Sequence, residues 1–209
     1  VPGRPGTPPG SNATLDMVLD TTQQNQRMTH FSDHDAIWLF GYGSLIWKAG
    51  FAYLERRPAY IRDWTRRFWQ GSHDHRGTPA APGRVATLLP SPGAICHGMA
   101  YRITPETLGP LDVREKNGYL REVITLHFAD SDTAQGLVYI ATEDNAAYLG
   151  DAPTAEIARQ IAEARGPSGP NRDYLLNLDE ALRALDVEDA HVAELARHVR
   201  HLDSETSDA

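Results

Sequence analysis

Ile37-Trp38-Leu39-Phe40-Gly41-Tyr42-Gly43 is an apolar and aromatic run closed by two glycines. A short run of this kind predicts a buried strand entering a tight loop. Working outward, further strands are expected at 66–71, rich in aromatics, and at 84–89, 95–103, 119–128 and 135–142, with Gly and Pro at most joints. A short helix is expected over 105–113, with Thr104 as N-cap and Pro105 in the first helical position. Over 154–165, Ile157, Ala158, Ile161 and Ala162 fall on one stripe, with Thr154 as N-cap and Gly166 as the stop. Over 171–185, Tyr174, Leu175, Leu178, Ala181, Leu182 and Leu185 share a face. Over 188–202, Val192, Leu195, Ala196, Val199 and Leu202 do the same, with Asp186 placed to cap.

The order is thus about six strands with one short helix among them, then a helical C-terminal third. Regular βα alternation is missing, which argues against a doubly wound parallel sheet. The expected class is α+β, with a mixed or antiparallel sheet that is either open or closed into a barrel. Residues 1–12 (VPGRPGTPPGSN) hold four prolines and three glycines and read as a disordered or expression-derived tail, with a native start at Met17 or Met28. The segment 13–35 is polar and expected to be poorly ordered, so the domain is placed at 36–202, between tails at 1–35 and 203–209.

Of 209 residues, 41% are hydrophobic and 23% charged, which suits one globular domain. No run of 18 uncharged apolar residues is present, which excludes a membrane-spanning helix. A single cysteine, Cys96, excludes an internal disulfide framework and fits a reducing, cytoplasmic setting. The net charge of −8 argues against a nucleic-acid partner. It is unevenly spread: residues 31–100 carry net +3 and residues 101–209 net −11.

Four segments carry candidate chemistry. In Gly41-Tyr42-Gly43-Ser44-Leu45 the glycines let backbone N–H groups approach an anion, although the segment also reads as a plain strand-to-loop turn. It matches neither the nucleophile elbow nor the dinucleotide fingerprint. Glu115, in Arg114-Glu115-Lys116-Asn117-Gly118-Tyr119, sits at a helix–strand joint where scaffolded catalytic groups often lie; the plain alternative is a surface Glu paired with Arg114 or Lys116. His73 and His75 around Asp74 suggest either the start of a metal site or a polar loop. Cys96 and His97 are neighbours in a strand, point to opposite faces, and read as structural rather than as a catalytic pair.

Taken in order, Phe40-Gly41-Tyr42-Gly43-Ser44-Leu45-Ile46-Trp47, Arg67-Phe68-Trp69-Gln70-Gly71-Ser72, His75-Arg76-Gly77-Thr78-Pro79, Pro82-Gly83-Arg84-Val85 and Arg114-Glu115-Lys116-Asn117-Gly118-Tyr119 resemble the ChaC-like γ-glutamylcyclotransferases. The stretch 166–176 resembles the family's C-terminal part, and the match spans roughly 37–185. The resemblance implies a small mixed β-barrel with flanking helices. It implies cleavage of a γ-glutamyl amide by internal cyclisation, without metal or coenzyme, giving 5-oxoproline and, from glutathione, Cys-Gly. It places the γ-glutamyl pocket at Tyr42, Gly43, Ser44 and Leu45 and the catalytic glutamate at Glu115.

The chemistry fits those roles. The attacking amine is already tethered to its target, so no Ser, Cys or Lys nucleophile is required of the protein. One carboxylate can take the proton of the α-ammonium and return it to the leaving amine. The Gly43–Leu45 amides face either the developing oxyanion or the α-carboxylate. Tyr119 and Tyr174 are candidates for holding the γ-glutamyl end, and Arg76 and Arg84 for a substrate carboxylate, each with a structural alternative. Rival readings are a cyclotransferase for another γ-glutamyl amine and a non-catalytic γ-glutamyl-binding protein.

Overall fold

The structure, a computed structural model, describes residues 20–207. The opening run becomes β1 (Ile37–Gly41), and it is where the sheet closes. The other barrel strands are β2 (Glu55–Ser72), β3 (Gly83–Ile103), β4 (Tyr119–His127) and β5 (Thr133–Ala141), in the order β1-β3-β2-β4-β5. β1 runs antiparallel to β3, with Leu39 opposite Tyr101, and parallel to β5, with Leu39 opposite Leu137. Leu39 and Phe40 point to opposite faces, yet both are buried, so this strand is covered on both sides and needs no polar alternation. The result is an α+β domain whose mixed barrel is flanked by helices.

The strand count differs from the sequence expectation. Segments 84–89 and 95–103 are two halves of the single strand β3, and β2 begins at Glu55 rather than Arg66. Pro90-Ser91-Pro92-Gly93 looks like a break but lies inside the β2–β3 pairing. The register slips between Arg62 and Trp64 and again between Arg67 and Gln70. Asp63 takes φ 66° at the first slip, and its carboxylate accepts the Gly93 N–H at 2.7 Å. Such bulges bend a long hairpin around a small barrel without ending it.

The helical third holds α3 (Thr154–Glu163), α4 (Asn171–Arg183) and α5 (Ala190–Ser207), preceded by the short α2 (Leu108–Arg114), which follows a 3₁₀ turn at Pro105–Thr107. The expected stripes supply the core: Ile157, Ala158 and Ile161 from α3, Leu175, Leu178 and Leu182 from α4, and Val192, Leu195, Ala196 and Val199 from α5. The caps are corrected. Pro153, not Thr154, precedes α3, and the helix ends at Glu163 before Gly166. Asp189, not Asp186, accepts the Val192 N–H at 3.2 Å at the start of α5.

Residues 20–35 depart from the poorly ordered lead-in expected of them. They include α1 (Thr22–Gln26), and Asn25 is 1% exposed. The expected tail at 1–12 lies outside the described residues. Among the described residues, no helix is long and apolar enough to cross a membrane.

Candidate active site

Glu115 is the residue at which α2 stops. Its N–H still bonds to Leu111 O at 2.8 Å, which fixes the backbone, and the chain then turns through Gly118 into β4. Gly118 takes φ 87°, and a Cβ there would lie 2.9 Å from the Asn145 side chain, so both conformation and space call for glycine. The Glu115 side chain is 19% exposed. Burial pushes its carboxyl above the ordinary carboxylate range, and the Arg114 guanidinium, 3.3 Å away, opposes that rise only in part.

The turn after β1 stands next to it. Ser44–Ile46 forms one 3₁₀ turn, with Ile46 N–H bonded to Gly43 O at 3.0 Å. Arg114 ties this turn to Glu115: its second guanidinium nitrogen donates to Ser44 Oγ at 3.2 Å and its first to Ala49 O at 2.6 Å. Leu45 is buried, and its carbonyl accepts the Tyr101 hydroxyl at 2.6 Å. A Cβ on Gly43 would lie 2.6 Å from the Tyr174 hydroxyl, so glycine is what lets the turn and α4 approach each other.

Three tyrosines complete the cluster. Tyr42 donates to Tyr139 O at 2.7 Å. Tyr119 donates to Ala86 O at 2.9 Å, while the Ala86 N–H donates to the Tyr174 oxygen at 3.4 Å, so both phenols flank one residue of β3. Burial raises all three phenols, Tyr174 to about 12, and the negative charge of Glu115 adds to each rise. They therefore remain protonated donors at neutral pH. Trp47 meets Tyr174 edge-on at 5.5 Å.

The two arginines part company. Arg76 stays half-buried at the rim, its guanidinium carbon 5.9 Å from the centre of the Tyr174 ring and one nitrogen donating to Pro170 O at 3.1 Å. Arg84 is 6% exposed and turned inward, donating to Gln160 Oε1 at 2.7 Å, Gly150 O at 2.8 Å and Phe68 O at 3.1 Å. The positive excess of 31–100 is spent similarly elsewhere: Arg66 is 1% exposed, and Arg57 pairs with Asp130. The local sum of charge therefore overstates the cation facing a ligand.

Sequence reasoning missed Asp74 and Asn117. The Asp74 charge contributes to the rise of Tyr119, and its carboxylate accepts the Asn117 side-chain amide. Asn117 stands in the 114–119 motif with no local sign of a role, and Asp74 reads from its neighbours only as part of a His-containing loop. Among the described residues, no group of three or more His, Cys, Asp or Glu is arranged to hold a metal ion. Cys96 is buried and its thiol is pushed up by burial, as suits a structural residue. Two surface clefts, of about 520 and 440 Å³, lie along α5 and hold neither Glu115 nor Tyr42; they are shallow depressions edged by Arg and Glu side chains.

The family model "ChaC-like protein" matches residues 37–202. "Gamma-glutamylcyclotransferase 2-3" of Arabidopsis thaliana is 49% identical over 186 residues, covering 83% of this chain and 93% of that one. The human "Glutathione-specific gamma-glutamylcyclotransferase 1" is 38% identical over 199 residues, covering 90% of this chain and 86% of that one. The crystal structure of the selenomethionine-labelled yeast γ-glutamylcyclotransferase specific to glutathione superposes with a TM-score of 0.76 at 33% identity, covering 80% of this chain and 97% of that one. The chain belongs to the ChaC-like family of γ-glutamylcyclotransferases.

Proposed function

We propose that this protein cleaves glutathione to 5-oxoproline and Cys-Gly, with Glu115 carrying the proton. The observation behind this reading is the largely buried carboxyl of Glu115, held above its ordinary pKa among Tyr42, Tyr119 and Tyr174 and beside the Tyr42–Leu45 turn, in a chain whose relatives are named for this reaction.

Ionised Glu115 takes a proton from the substrate α-ammonium. The freed amine attacks the γ-carbonyl carbon, forming the five-membered ring, and the bond from that carbon to the cysteine nitrogen breaks. Glu115 gives this proton to the departing nitrogen, and the second proton that the ring nitrogen sheds passes by the same carboxylate to the released amine, so Cys-Gly leaves as an ammonium and Glu115 is ionised again. No water is consumed, and atoms and charge balance. The tethered attack supplies the entropic advantage, so the protein's task is orientation and proton transfer. Backbone N–H groups of Gly43, Ser44 and Leu45 face the γ-glutamyl group. The phenols of Tyr119 and Tyr174 hold it, and Arg76 meets a substrate carboxylate. The reaction draws on no metal or coenzyme and belongs to a reducing, cytoplasmic setting. Arg84 is left out of substrate binding because its donors are committed to the scaffold.

The test is incubation with glutathione followed by mass detection of 5-oxoproline and Cys-Gly, with γ-glutamyl-alanine and ε-(γ-glutamyl)-lysine in parallel. Turnover of glutathione above the other two supports the reading. Binding of glutathione without release of 5-oxoproline replaces it with a non-catalytic binding role.

A further inference from the structure

The segment 20–26 touches the chain at both ends of the Glu115 loop. Asp20 forms an isolated antiparallel bridge with Asn117. The Thr21 N–H donates to Lys116 O at 2.9 Å. The Thr21 hydroxyl lies 2.9 Å from Lys116 O and 2.7 Å from Tyr119 O; its single proton goes to the nearer Tyr119 oxygen, since the amide already serves Lys116. Asn25 spans the next step with its side-chain amide: Nδ2 donates to Tyr119 O at 3.0 Å, and Oδ1 accepts the Arg121 N–H at 2.8 Å. Thr21 is 7% exposed and Asn25 1%, so water competes little for these bonds.

These bonds fall on residues 116, 117, 119 and 121, immediately after Glu115. Gly118 takes the left-handed backbone that suits glycine, at φ 87°, and its N–H closes back on Lys116 O at 2.9 Å; the bonds from Thr21 and Asn25 reach this loop from outside it. Tyr119, whose carbonyl receives both Thr21 and Asn25, also presents the phenol bonded to Ala86 in the candidate site. We infer that Thr21 and Asn25 are positioning residues: they clamp the 116–121 segment and so hold Glu115 and Tyr119 in register with the Tyr42–Leu45 turn. This rests on the proposed role of Glu115.

The experiment measures kcat and KM for glutathione in the full chain carrying Thr21→Val, Asn25→Ala, Thr21→Ser or, as a control at an exposed position of α1, Gln23→Ala, each normalised to folded protein by circular dichroism. Small misplacements of reacting groups cost up to about a hundredfold in rate. A roughly tenfold fall in kcat with KM within twofold is expected for Thr21→Val and Asn25→Ala, with the parent kcat in Thr21→Ser and Gln23→Ala. A merely structural role lowers the melting temperature without this split. Folded variants whose kcat stays within twofold of the parent overturn the inference, as does a rise in KM alone. If Asn25→Ala does not fold, Thr21→Val against Thr21→Ser decides. A parent protein without glutathione turnover overturns the reading beneath it, and this inference with it.

Discussion

Arg66 donates from Nε to the backbone carbonyl of Tyr42 at 2.7 Å, deep inside the domain. The same guanidinium reaches Asp189 Oδ2 at 2.6 Å and the carbonyl of His97. One side chain from β2 therefore joins the turn after β1, strand β3 and the start of α5. Its charge is nearly excluded from water and has one carboxylate partner, whose side chain is 17% exposed.

Arg66→Met is expected to lower stability by about 3–5 kcal/mol, the usual cost of leaving the other half of a buried pair uncompensated. The substitution strands the Tyr42 carbonyl along with Asp189. Urea unfolding, followed by tryptophan fluorescence with the slope unchanged, measures it. A loss below about 1 kcal/mol would equate the contact with an exposed ion pair. Arg66→Lys recovers only part, because an ammonium cannot serve three partners in fixed fork geometry.

Glu115→Gln keeps the size of the side chain and one acceptor oxygen but cannot carry a proton. Its kcat is expected to fall by about 10²–10⁴-fold with substrate affinity kept. Retention of more than about a tenth of parental activity would remove Glu115 from the proton path. In the parent, kcat/KM should rise with pH as the carboxyl ionises, at a pH above the ordinary value of about 4.3. Arg114→Met deletes the cation that holds the carboxyl down, so the acid limb should move to higher pH. An unmoved limb would assign it to another group.

Stability should respond to the same carboxyl in the opposite sense. The folded pKa lies above the unfolded one, so between the two the native state binds more protons than the unfolded chain, and stability declines as pH rises through that window. Above the window the full cost of holding the carboxylate in a largely buried site is present. Glu115→Gln is therefore expected to melt above the parent at pH 7–8, with the difference shrinking as pH falls to the ordinary carboxylate range. A variant that melts below the parent at pH 7 would mean that the Arg114 contact outweighs burial.

What the sequence made legible was whatever depends on neighbours in the chain. The β1 run, the glycine turn after it and the stripes of α3 to α5 are local patterns, and they appear as expected. Distant partners hide the rest. Pro90 to Gly93 carries every local sign of a break, and only the bulge opposite, at Asp63, lets the strand continue. Asn25 looks like one more polar residue in a Gln-rich lead-in. Its burial depends on Tyr119 and Arg121, over 90 positions away. Glu115 stands at the helix–strand joint that its local sequence predicts, whereas Asp74 meets Asn117 only because the fold returns the end of β2 to that loop.

Arg76 and Arg84 show the same difficulty in a form that can be measured. A sequence gives both the same charge and the same candidate role. Arg84 is committed to three oxygen acceptors of the scaffold, whereas Arg76 spends one bond on Pro170 and keeps donors at the rim beside Tyr174. Arg84→Met should cost about 3 kcal/mol of stability, since buried acceptors left unpaired cost roughly 1–3 kcal/mol each, and should leave KM within twofold. Arg76→Met should leave the unfolding midpoint nearly unchanged and raise KM about tenfold, equivalent to about 1.4 kcal/mol of binding. Glutathione amidated at its glycine end separates carboxylate recognition from general disturbance of the rim. The amide should bind the parent about tenfold more weakly, and Arg76→Met should no longer distinguish amide from acid. If Arg76→Met still prefers the acid tenfold, the guanidinium does not meet that carboxylate, and its contact with the Tyr174 ring becomes its role.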